Sequence, residues 1–460
     1  MEAKITETNK AIAETAEQVL KPKLRGELLF PNGQGYDKAR TLWNIMIDRH
    51  PAMIVRCAGT ADIIEAVRFA RANGLVLSVK GGGHSFSGKS VCDGGLVVDL
   101  SLMRSVWVDP LSKTARAEAG ALVSDLDHET QAFGLAVTAG VVSHTGIGGL
   151  TLGGGQGYLM NKYGLTIDNL LSADVVLADG RFVKASATES EDLFWGIKGG
   201  GGNFGVVTSF EYQLHRVGPD IIGGMLLYPM DHAKEVFEFY AYFSMNSPDE
   251  MSVAASLLTL PDGTGAIGLV AGWVGDVDEG QRQLEPLRTF KKPMLDLISV
   301  QPYVQLQKSL DAAMPHGWLR HGKMGYISEF KEEFIDIVLK HAEQLSPYSL
   351  ILFNCMKGAV TRVASDKTPF PYREPQWYFD IIPQWTHPSQ TAGHIQWARS
   401  FWEEAEPFTR GTAVNFFSID DGTDRVKLAY GENYERLAQI KQKYDPDNFF
   451  AMNNNILPER

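Results

Sequence analysis

Cysteine is scarce: Cys57, Cys92 and Cys355 are the three in a chain of 460 residues. That is too few for a disulfide framework at this size, and it fits a reducing, cytoplasmic setting. Positive charge is short as well. With 43 Lys and Arg against 55 Asp and Glu the formal net charge is −12. A nucleic-acid partner would need a dominant basic surface, so none is expected. No run approaches the roughly 18 consecutive apolar residues of a membrane span. The segment from Met1 to about Leu20 alternates charged and small residues and lacks the apolar core of a secretory signal. Internal repeats and low-complexity linkers are also missing.

Glycine, by contrast, is plentiful and clustered, with 46 residues in the chain. The apolar run Leu75-Val76-Leu77-Ser78-Val79 leads directly into Lys80-Gly81-Gly82-Gly83-His84-Ser85-Phe86-Ser87-Gly88. A buried strand thus ends in a loop without side chains to hold its backbone away from a ligand. Free N–H groups in such a loop suit a pyrophosphate, with the His84 imidazole at the edge of the ligand. A second cluster spans 138–155 and holds seven glycines in its 18 residues. It does not fit the G-x-x-x-x-G-K-[ST] loop or a dinucleotide fingerprint followed by an acidic residue. A third, Gly199-Gly200-Gly201-Gly202-Asn203-Phe204-Gly205, follows a strand over Ala173 to Ala178. Three such loops point to a large nucleotide cofactor.

Helical periodicity covers residues 8–23, Tyr36 to Trp43, Thr60 to Ala72 and Leu122 to Phe133. Short strands intervene at Met53 to Ala58, Gly95 to Leu100, Ser105 to Asp109 and Thr114 to Ala119. Beyond Arg216-Val217-Gly218-Pro219 the texture changes. Amphipathic helices (Ala233 to Met245, Lys331 to Ala342) alternate with strands (Met251 to Leu260, Ala266 to Val274, Leu350 to Met356), which makes a second α+β domain. A helix from about Thr423 to Lys443 then leads into a polar terminus, Tyr444 to Ile456.

The motifs GGGHS at 81–85, GGLVVDLSLM at 94–103, GIGGLTLGGG at 146–155, KYGLTIDNL at 162–170, DLFWGIKGGGGNFGVVT at 192–208 and KYDPDNFFAMNNNI at 443–456 occur in this order. Together they resemble the FAD-linked oxidases of the vanillyl-alcohol oxidase and p-cresol methylhydroxylase type. Within that family the chain is similar to the branch of berberine bridge enzyme, 6-hydroxy-D-nicotine oxidase and the enterocin-biosynthesis flavoenzyme. The resemblance implies an α+β fold of two domains: an FAD-binding domain over 1–218 and a substrate domain over 219–422 whose antiparallel sheet covers the flavin. A segment over 423–460 would return to the FAD domain. It also implies a covalent bond from His84 to the flavin. Doubly linked members carry a cysteine at the position of Val142, so the link is expected through His84 only.

By the same resemblance Lys80, Gly81, Gly82, Gly83, His84, Ser85 and Gly88 would line the pyrophosphate and ring edge. Ser143, His144, Thr145, Gly146, Gly148, Gly149 and Gly153 would track the flavin, Gly205 and Val207 its adenine side, and Asn453 and Asn455 its ring. Catalytic candidates are Tyr158, Tyr303, Asn354, Asn415 and Thr145, the last facing the reactive N5 nitrogen. Lys323 is a further polar candidate. Relatives carry a glutamate base on the strand matching Leu350 to Met356; here Leu352 stands at its position and Asn354, on the same face, cannot act as a base. The expected activity is oxidation of a small organic alcohol, phenol or amine, in bacterial secondary metabolism or catabolism. Hydride would go to the flavin and O₂ would leave as H₂O₂. Rivals are a dehydrogenase with another acceptor, a flavin-oxygen-adduct oxygenase of a polyketide, and a flavin-binding protein without turnover. No metal is expected, and the assembly is a monomer or homodimer.

Overall fold

The computed structural model describes residues 7–260 and 262–459. Met53, Ile54 and Val55 are buried in succession, as are Leu96, Val97 and Val98, the pattern of strands covered on both faces. They form the centre of a four-stranded sheet. Met53–Arg56 and Leu77–Lys80 flank Leu96–Asp99 in parallel, and Glu27–Leu29 lies antiparallel at one edge. The helix Thr60–Ala72 makes the crossover and buries Ile63, Ala66, Val67 and Ala70. At its start the Asp62 carboxylate accepts backbone N–H bonds from Arg25, Gly26 and Ala58. A second sheet of five antiparallel strands runs Val106–Asp109, Thr114–Glu118, Val206–Gln213, Leu170–Val176, Phe182–Ser186. One hydrophobic core joins both sheets.

Eight antiparallel strands between Asp220 and Ile382 make the third sheet. Its strands Leu350–Met356 and Gln376–Ile382 pair with Leu352 opposite Asp380. Alternation divides their side chains between two faces. Ile351, Phe353, Cys355, Trp377, Phe379 and Ile381 pack into the core shared with the helices Ala233–Asn246, Glu332–Ala342 and Thr391–Ala405. Leu352, Asn354, Tyr378, Asp380 and Ile382 face the cavity beneath.

Several elements are shorter than the periodicity predicts. The helix from Tyr36 ends at Arg40, because Thr41 is extended and the Trp43 amide donates to the Gly83 carbonyl at 3.1 Å. Residues 8–23 divide into Glu7–Thr15, a π turn over Ala16–Leu20 and a 3₁₀ turn over Lys21–Lys23 that contains Pro22. The single helix expected from Thr423 to Lys443 is two, Thr423–Tyr430 and Tyr434–Tyr444. It breaks at Gly431, whose φ of +50° leaves the helical region. Both pieces pack on the first core through Val426, Tyr430, Leu437 and Ile440. The fully buried Lys441 ammonium then holds the terminus, donating to Asp445 and to the carbonyls of Asn203 and Phe450. Among the described residues no helix is long and apolar enough to cross a membrane, and all three cysteines are buried and free. Residues 1–6 of the amino-terminal stretch lie outside the described residues.

Candidate functional site

The glycine loops converge on one cavity between the sheets. Gly81, Gly82 and Gly83 line it with Gly146, Gly148, Gly149 and Gly153 of the second cluster and Gly201, Gly202 and Gly205 of the third. Its atom-free space, open mouth included, is about 2110 Å³. Glycine is required where the first two loops cross. A Cβ on Gly82 would lie 2.4 Å from the Gly146 nitrogen, and one on Gly146 would lie 2.3 Å from the Gly82 nitrogen. At Gly149 and Gly202 the reason differs: a Cβ would meet nothing within 4 Å and would project into the cavity. This is a backbone-walled cradle that side chains would fill, as an extended dinucleotide requires. The residues therefore fit FAD.

His84 stands in this wall beneath Trp43, with ring centroids 4.3 Å apart and planes inclined by 15°. Its Nε2 is 2.7 Å from His144 Nδ1, and its Nδ1 is 3.4 Å from Thr145 Oγ1. His316 packs edge-on, its ring centroid 5.9 Å from that of His84. Burial pulls the His84 pKa well below the usual imidazole range, and the neighbouring His144, His316 and Arg320 pull in the same direction. Burial lowers His144 and His316 as well. Three neutral imidazoles result at neutral pH, and in the 2.7 Å contact one of His84 and His144 donates its N–H to the lone pair of the other.

Most predicted positions meet here, and some do not. Ser85, Thr145, Val207, Asn354, Asn415 and Asn453 line the cavity with the glycines. Asn415 lies where any Cβ on Gly153 would be, 1.9 Å from its Oδ1. Lys80 is not in the lining: its ammonium donates to the Ala39 carbonyl and lies 3.8 Å from Asp99. Gly88 packs against Ile47, and Ser143 donates its amide and hydroxyl to the Asp311 carboxylate at 2.8 and 2.5 Å. Asn455 is also outside, and His144 reaches the site only through His84. Tyr158 and Tyr303, expected as catalytic candidates, are not among the residues lining the cavity. Both sit in a separate buried cluster, where Tyr158 is hydrogen-bonded to Ser309 at 3.0 Å and Tyr303 donates to Gln307 at 2.8 Å. Burial pushes the Tyr158 hydroxyl up to about 12. Lys323 is paired with Asp420 and Asp421 at 3.1 and 2.8 Å.

The strand paired with Leu350–Met356 carries a buried acid. Asp380 lines the cavity opposite Leu352 in the register, is 3% exposed, and its Oδ1 has no hydrogen-bond partner. Burial raises its pKa well above the carboxylate range, and no cation offsets that shift. The signal in the sequence was a single acid inside the apolar strand Trp377-Tyr378-Phe379-Asp380-Ile381-Ile382. Around it Leu310, Met314, Leu352 and Ile382 give an apolar wall.

A glycine-walled nucleotide cradle roofed by an antiparallel sheet defines a flavin-dependent oxidoreductase. The family described as FAD binding domain matches residues 51–186, and the one described as berberine and berberine like matches 414–457. An FAD-linked oxidoreductase of Dictyostelium discoideum is 35% identical over 90% of this chain and 91% of its own. The (R)-6-hydroxynicotine oxidase of Paenarthrobacter nicotinovorans is 29% identical over 95% and 97% of the two chains. The crystal structure of 6-hydroxy-D-nicotine oxidase from Arthrobacter nicotinovorans superposes with a TM-score of 0.86 at 27% identity, covering 95% of this chain and 98% of that one. The chain belongs to the FAD-linked oxidoreductases of the berberine bridge enzyme type, and it is an enzyme.

Proposed function

We propose that the chain is an oxidase of a small organic alcohol, phenol or amine, with FAD joined to the protein through His84 alone. The observation that carries this reading is the pairing, in one cavity, of a neutral, half-buried imidazole with a buried carboxyl whose Oδ1 has no partner. FAD, when bound, supplies the hydride acceptor and passes the electrons to O₂. Asp380 is the proton acceptor: burial without a cation makes it a stronger base than an exposed carboxylate, matched to a hydroxyl or ammonium proton. Asn354 offers the donor and acceptor that orient the same group. The apolar wall excludes water and disfavours charged substrates such as glycosyl phosphates. His84 is the nucleophile for attachment, since a neutral ring needs no prior deprotonation of an imidazolium. Val142 lines the cavity without a thiol, which leaves one link. The segments 1–218, 219–422 and 423–460 are read as FAD-binding, substrate and returning segments, and the setting as cytoplasmic.

The test is acid precipitation of the yellow protein, with flavin fluorescence of the denatured pellet, for wild type and His84→Ala. Flavin retained by the wild type and released by the variant supports the attachment; release by both refutes it. Peroxide formation during turnover in air separates the oxidase from a dehydrogenase, whose reduced flavin would reoxidise slowly.

A further inference from the structure

Arg320 is 0% exposed, yet among the described residues no carboxylate pairs with its guanidinium. Its donors go to neutral oxygens. Nε bonds Gln384 Oε1 at 2.6 Å, Nη1 the carbonyls of Trp43 and Trp318 at 2.9 and 3.2 Å, and Nη2 the Pro315 carbonyl. The other deeply buried arginine, Arg373, behaves in the ordinary way, forked onto Asp168 at 2.7 and 2.9 Å. An uncompensated internal charge is costly and is retained only where the surroundings fix it. Burial brings the Arg320 pKa down to about 9, which still leaves the group charged at neutral pH.

The surroundings direct that charge at one residue. The guanidinium carbon lies 3.8 Å from the Trp43 ring centroid, and the same ring stacks on His84. Trp43 is fixed in turn by its indole N–H, which donates to the Met314 carbonyl at 2.9 Å, and by its backbone amide on Gly83. Asn44 locks the two segments together through the amide and carbonyl of Arg320, at 2.9 and 3.0 Å. Asp311, the carboxylate beside His144, is committed to Ser143. The positive charge behind His84 is therefore rigid and unneutralised.

We propose that Arg320 is a positioning residue that acts through Trp43, holding a permanent positive charge behind the His84 attachment point and raising the reduction potential of the bound flavin. Reduction adds negative charge to the ring system, and a fixed cation in a low-dielectric wall favours the reduced form. The inference rests on the attachment at His84 proposed above.

Redox-dye titration of wild type, Arg320→Met and Arg320→Lys holoenzymes tests it. Arg320→Met should shift the equilibrium against the dye roughly tenfold toward oxidised flavin, about 30 mV for a two-electron couple, while Arg320→Lys stays near the wild type. Gln384→Glu gives a second route: it keeps the arginine and places a carboxylate at its Nε, and it should lower the potential in the same direction. If Arg320→Met does not fold, this variant decides the question. An unchanged potential in the folded variant overturns the proposal. Acid release of flavin from the wild type would refute the His84 attachment separately, and the comparison of potentials would still be readable on the dissociable flavin.

Discussion

Replacing Asp380 by Asn removes one ionisable oxygen and leaves shape and volume almost unchanged. Oδ1 has no partner to lose and the carboxyl lies in an apolar wall, so the amide costs no hydrogen bond and no longer incurs the penalty of ionising in a dry site. The folded state should therefore melt at or above the wild-type temperature. Chemistry should move the other way. A positioned general base contributes about 10²–10⁴-fold, or about 2.7–5.5 kcal/mol of barrier, and Asn supplies none of it. The assay is anaerobic stopped-flow bleaching of the flavin, with a donor chosen by peroxide screening of primary alcohols, phenols and amines. Because burial raises the Asp380 pKa, the base form accumulates only as pH rises through that elevated value. Wild-type reduction should accelerate with pH across that range, and the Asn variant should be flat. Reduction within about threefold of wild type, with the pH profile intact, would refute Asp380 as the base.

Gly146→Ala places a Cβ 2.3 Å from the Gly82 nitrogen; main-chain displacement of this kind should cost about 1–3 kcal/mol or more and lower the flavin-to-protein ratio, read from absorbance and thermal melting. Thr145→Val removes the hydroxyl 3.4 Å from His84 Nδ1 and should change reoxidation of the reduced protein more than its FAD content; identical reoxidation traces would end that role. Asp127, buried beside a second cavity, is pushed up to about 8 by burial when folded, against about 3.9 for an ordinary Asp carboxyl. The folded chain then binds more protons than the unfolded one between those values, so stability falls as pH rises across that window. Asp127→Asn should gain melting temperature relative to wild type from about pH 4 to about pH 8 and no further above it.

The cofactor side of the site was legible because glycine clusters are local in sequence and their purpose, bare backbone, survives without knowledge of the fold. Element ends were less so. The Tyr36 helix stops early because Trp43 bonds Gly83, a contact between loops that no local periodicity records. Gly431 did mark its break, yet the apolar spacing on either side ran through it. On the substrate side, attention fell on Leu350–Met356, whereas the buried acid facing the cavity stands across the ladder, since cross-strand register is set by pairing in space. The placing of Tyr158 and Tyr303 away from the cavity lining was hidden for a related reason: nothing local distinguishes a tyrosine whose hydroxyl is already bound to Ser309 or Gln307. Arg320 and His316 reach His84 from far along the chain, and only the folded geometry brings them together.

The two strands over the cavity separate what selection is free to change from what it must keep. Odd-numbered positions from Ile351 to Cys355 and from Trp377 to Ile381 are committed to the helix-backed core, while 352, 354, 378, 380 and 382 face the cavity. A library that varies the even positions around a constant Asp380, and leaves every odd one alone, would explore new substrates on an undisturbed scaffold. The glycine loops opposite would remain untouched. On these two strands, diversification of chemistry reduces to an alphabet of four sites.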